Sequence, residues 1–107
     1  MSPLDAAITS LEHQNDSLGK ARNDYLLKEA EKKNFEATMV QKAQGKSHAE
    51  KVVNAQAQEA WVAFAKDLAR LEAVYEFQRL KFTILEKSWQ TQYLQTKLDE
   101  DLVRKQR

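Results

Sequence analysis

Few residues in this chain have the types and spacing that chemistry requires: His13 and His48, the carboxylate pair Glu72 and Glu76, and the triplet Gly45-Lys46-Ser47. A helical metal site places ligands on one face, as Glu-x-x-His or His-Glu-x-x-His does. Neither histidine stands in such a pattern, and both read as solvent-facing. Glu72 and Glu76 share a helix face, the arrangement used for acid–base or di-metal work. With no histidine or second carboxylate pair opposite, they read as a solvated edge. The triplet is similar to the end of a phosphate-binding loop. The upstream glycine and strand that would complete the cradle are missing, since the chain's glycines are Gly19 and Gly45. The absence of cysteine excludes disulfides and thiolate metal sites and fits a reducing compartment. No catalytic residue, cofactor site or metal site is expected, and the chain reads as non-enzymatic.

The elements that would position side chains are easier to read. Of 107 residues, 42% are hydrophobic and 31% charged, with two glycines and one proline. Turns draw on Gly and Pro, so this chain has few places to reverse, and its residue usage is that of long helices and coiled coils. An all-α fold is predicted: a single domain over 1–107, built as a long antiparallel helical hairpin. Gly45 suits a helix C′ position with positive φ. Ser47, with Glu50 three residues on, forms the spacing of a capping box. Ser2, Pro3 and Asp5 carry a similar start signal. The map is helix 3–44, turn 45–47, helix 48–105. Gly19, among Asn15, Asp16 and Asn23, is the place where the first helix could break. The spacing of Leu4, Ile8, Leu11, Leu18 and Tyr25 runs through it and favours continuity. Asp24 with Lys28, Glu29 with Lys33 and Asp101 with Lys105 have the favourable i,i+4 order on solvent faces.

On the second helix, Trp61, Phe64, Leu68, Leu71, Tyr75, Phe82, Leu85 and Trp89 form one seam, in steps of three and four except where Gln78 intervenes. With a turn near residue 46, residue i should face about residue 92 − i, which sets Phe35 near Ala57, Leu18 near Val74 and Leu4 near Trp89. The hairpin core is therefore predicted as that seam against Leu4, Ile8, Leu11, Leu18, Tyr25 and Phe35. A second row, Val62, Ala69, Ala73, Phe77, Leu80 and Ile84, continues through Leu94, Leu98 and Leu102. Two apolar stripes on one helix imply burial on two sides. The first helix cannot cover both: residues 60–85 hold 17 apolar residues of 26, and the opposing 7–32 hold 9 of 26. Residues from about 90 onward also lack a hairpin partner. The second row is thus predicted as a dimer or partner interface, with a homodimer closing a four-helix bundle or extended coiled coil.

Charge and hydropathy narrow the partners. Net charge is +1, which leaves no overall electrostatic footprint for nucleic acid. A locally basic stretch over 20–51 makes Lys28, Lys32 and Lys33 the candidate nucleic-acid contacts. No segment has the uninterrupted apolar run of a membrane span, and the N-terminus lacks the basic start and apolar run of a secretory signal. Neither a membrane partner nor a cofactor is expected, and the location is expected to be cytoplasmic. The function that follows is a helical protein–protein interaction module (adaptor, assembly factor or small accessory or inhibitor protein) acting as a homodimer. The alternative is a nucleic-acid-associated accessory factor, for example a phage-type recombination or regulatory protein.

Overall fold

The computed structural model describes residues 2–106. The fold is all-α, a helical hairpin made of α1 (Pro3–Lys42), α2 (His48–Gln56) and α3 (Glu59–Gln106), with no strand among the described residues. Helix α1 begins where the side chains dictate. The Asp5 amide donates to the Ser2 hydroxyl at 3.1 Å, and Pro3 takes the first helical position, where an amide hydrogen has no helical partner. The helix continues through Gly19 without a break. At its end the Ala43 amide is shared between the carbonyls of Met39 (3.0 Å) and Val40 (3.2 Å).

The reversal spans 43–47, two residues more than the turn expected from the sequence, because α1 ends at Lys42 rather than at 44, and Gly45 serves it differently. No glycine among the described residues has positive φ, so Gly45 is not a left-handed cap. Its lack of a side chain is needed for close approach instead. A Cβ at this position would lie 2.9 Å from the Lys51 nitrogen and 3.2 Å from both the carbonyl carbon and the Cβ of Glu50. Ser47 caps α2 in extended conformation, with the Glu50 amide donating to its hydroxyl at 3.1 Å. The return half of the box is displaced by one residue: the Glu50 carboxylate accepts from the Lys46 amide at 3.1 Å. Asn54 donates from its side chain to the Gln44 carbonyl at 2.6 Å, tying α2 to the end of the preceding segment.

The helix expected to run unbroken over 48–105 is divided at Ala57–Gln58. The Gln58 amide turns to the Ala55 carbonyl (3.1 Å), an i→i−3 bond, and the Gln58 carbonyl starts α3 by accepting from Trp61 (3.1 Å) and Val62 (3.2 Å). Neither residue is a helix breaker. Tertiary anchoring supplies the cause, since Ala55 is fully buried and Asn54 is tied to Gln44.

The chain forms two compact units. One covers Ala21–Tyr75, where α1 and α3 meet through aromatic rings. Tyr25 lies 5.8 Å from Tyr75 between ring centroids. Phe35 stacks on Phe64 at 4.2 Å and lies 6.4 Å from Trp61. The sequence placed Phe35 against Ala57. The ring reaches Phe64 because long helical side chains lean toward their own N-terminus, and on antiparallel helices the two leans point in opposite directions. The other unit joins the segment ending at Lys20 to the segment beginning at Glu76. Here Gln14 donates from its side-chain amide to the Gln78 side-chain carbonyl, a pair whose numbers sum to 92.

Two helices enclose little. Among the described residues only Ala21, Ala55 and Gln14 are buried, and every seam residue named from the sequence, from Leu4 to Trp89, is half-buried.

Candidate interaction surface

The seam settles which side of α3 is open. Filling it with Gln78 gives an unbroken three–four repeat from Trp61 to Trp89, the spacing that keeps a helix face on its partner. At 100° per residue, the row through Phe77, Leu80 and Ile84 lies roughly 145° around the helix from that seam. It is therefore turned away from α1. Phe77, Leu80 and Ile84 are 63%, 64% and 62% exposed, and Leu94, Leu98 and Leu102 are 65%, 54% and 49% exposed. All six lie in the unit formed by the terminal segments. In the unit over Ala21–Tyr75, Val62, Ala69 and Ala73 are exposed as well. The residues named as core are half-buried, and those named as interface are exposed in the single chain.

Tyr93 is exposed on a neighbouring strip and stacks on half-buried Trp89 at 5.7 Å, with the Lys97 ammonium 6.0 Å from its ring. The two threonine hydroxyls along this stretch of α3 are satisfied within the helix. Thr91 donates to the Lys87 carbonyl at 3.0 Å and Thr96 to the Gln92 carbonyl at 2.9 Å. Such threonines present a methyl group outward.

The groups with chemical potential are not brought together. Both histidines are exposed, His13 in one unit and His48 in the other. No group of three or more metal-ligating side chains occurs among the described residues. Glu76 is held by Arg79 at 2.7 Å, and Ser47 is occupied as a helix cap.

The basic stretch is also partly committed. The expected pairing of Lys28 with Asp24 is replaced by one across the helices: its ammonium lies 3.4 Å from Asp67 and 4.5 Å over the Phe64 ring. A carboxylate and an aromatic face together outbid a solvent-exposed partner on the same helix. Likewise Glu29–Lys33 and Asp101–Lys105 are not among the ion pairs of the described residues. The hydrogen bond from Arg70 chiefly, and then that from Lys28, holds the Asp67 carboxyl below the usual carboxylate range, against the opposing effect of desolvation. Its contribution to stability is therefore present above that range and fades as pH falls through the depressed value. Lys32 and Lys33 are exposed, but Glu36 is shared by the grooves each of them lines. The Lys33 groove, about 650 Å³, also holds His48, Lys51 and Trp61, a mixed lining.

Sequence reasoning missed Gln14 and treated Gln78 as an interruption. Their positions carried the signal, because Gln14 fills the step between Leu11 and Leu18 as Gln78 fills that between Tyr75 and Phe82.

No family model matches this chain, and comparisons with curated proteins and with solved structures found no similar one. No helix among the described residues is long and apolar enough to cross a membrane.

Proposed function

We propose that this chain is a non-enzymatic helical interaction module that works as a homodimer and presents the dimer to a protein target, in a reducing compartment such as the cytoplasm. One observation carries the reading: a row of large apolar side chains, Phe77 to Leu102, exposed on the side of α3 away from α1. Burying a side chain of this size contributes roughly 1.5–3 kcal/mol. A monomer forgoes that contribution at six positions on one face. Exposed apolar side chains gathered in clusters on one face, rather than scattered singly, mark an interaction site. The basic stretch supports the nucleic-acid alternative less well, with Lys28 committed to Asp67.

Light scattering after size exclusion, over a dilution series, tests the reading. Wild type should run with the mass of two chains, and Leu98→Asp should run as a monomer with unchanged helical circular dichroism. A wild-type monomer at every concentration removes the homodimer from the proposal. A pull-down comparing the same two proteins then tests the second half, because the target should be captured by the dimer and lost with Leu98→Asp.

A further inference from the structure

The open row on α3 has an internal symmetry that selects one occupant and one orientation. Its apolar members form two clusters, Phe77, Leu80 and Ile84 before the middle and Leu94, Leu98 and Leu102 after it, over about 38 Å of helix. Between them the same three–four repeat places Lys87 and Thr91, both exposed. Reversed about residue 89, most of the row maps onto itself, 84 onto 94, 80 onto 98 and 87 onto 91, while 77 falls on Asp101, the neighbour of Leu102. We propose that the occupant is a second copy of this chain, with the two α3 helices antiparallel and centred near residue 89. The proposal rests on the homodimer reading and adds its geometry.

Charge decides between the two possible directions, because apolar clusters would meet in either. A parallel pair in register sets Lys87 against Lys87 of the second copy and Asp101 against Asp101. Both are like-charge contacts at positions facing the partner, which disfavour that arrangement. The antiparallel pair sets Lys87 against Thr91 and Asp101 against Phe77, so no like charges meet. The Thr91 hydroxyl is already satisfied by its own helix, so the lysine stem meets a methyl group while its ammonium reaches solvent. At the ends, Glu76 comes within two residues of register with Arg104 of the second copy, about 3 Å of helical rise that the long arginine side chain spans, and two-fold symmetry repeats the attraction. Glu76 is already paired with Arg79, which leaves its second oxygen for the incoming guanidinium. The row lies nearly opposite the α1 seam, so α1 need not move to admit the second copy.

The chain has no cysteine, so a spin label can be attached at a single introduced site. Gln90→Cys and Glu100→Cys, both at exposed positions, are labelled separately in the full chain, and the label-to-label distance is measured by double electron–electron resonance. Each variant's mass is taken by light scattering and its helicity by circular dichroism. In the antiparallel dimer the distance grows from the first site to the second by about 30 Å, twice the helical rise across ten residues. A dimer whose two distances are the same overturns the antiparallel assignment and leaves the homodimer standing. A dimer with long distances at both sites overturns the use of this face. Monomeric mass without dipolar coupling overturns the homodimer reading itself, and this inference with it.

Discussion

Gln14 and Gln78 show what a single polar side chain does in a seam of apolar ones. Gln14 is 4% exposed, nearly the most buried residue described, and its partner is the Gln78 side chain. Two leucines there would contribute more to burial. A matched polar pair instead penalises every register in which the two amides miss each other, as a buried asparagine does in coiled coils. The cost of breaking it is asymmetric, since a desolvated amide left without its partner loses more than the bond contributed. Gln14→Leu alone should therefore lower stability by about 1 kcal/mol, a value near the low end because Gln78 is only half-buried. Gln14→Leu with Gln78→Leu should recover that loss. Urea unfolding of the two singles and the double would decide it, and additive effects would mean that the pair does not act as one.

At the scale of elements, the reversal depends on a glycine whose position was legible and whose reason was not. The sequence rule for Gly45 was positive φ, whereas the structure needs room beside the first turn of α2. That turn is held by the Ser47 cap and the Asn54 bond, so backbone cannot yield to a new methyl group without disturbing both. Gly45→Ala should destabilise by about 1–3 kcal/mol, the usual range for overpacking. Gly19→Ala, in a continuous helix with nothing within 4 Å of the added Cβ, should stabilise by up to about 1 kcal/mol. Thermal midpoints that move in the same direction for both would refute the distinction. The contrast also shows what the sequence carried. Ser2, Ser47 and Glu50 were readable because capping is a local contest between a side chain and the next three amides. The division at Ala57–Gln58 was not, since it comes from the burial of Ala55 and the Asn54–Gln44 bond, which no local pattern encodes. Gln78 fell between, because its place in the repeat was visible but hydrophobicity could not show its partner. The exchange of Asp24 for Asp67 as the partner of Lys28 needed the fold itself.

For the whole molecule, the question is whether so thin an interior can hold one chain folded alone. The buried residues described are two alanines and a glutamine, and the large side chains of the seam are all partly wet. Short chains bury a smaller fraction of their surface than large ones, and two helices are the poorest case. If the exposed row on α3 supplies the missing burial through a second copy, association adds to the stability of the folded hairpin, and stability must depend on concentration. Each tenfold rise in protein then adds about 1.4 kcal/mol per dimer. For a unit the size of two such chains this moves the thermal midpoint by roughly 3–5 °C. Wild type followed by circular dichroism over two decades of concentration should show that climb, while Leu98→Asp should melt lower and at one temperature throughout. A wild-type midpoint that stays fixed would mean that the hairpin folds without a second copy. The apolar row would then contribute nothing to its own fold, and a different protein would have to be the one that covers it.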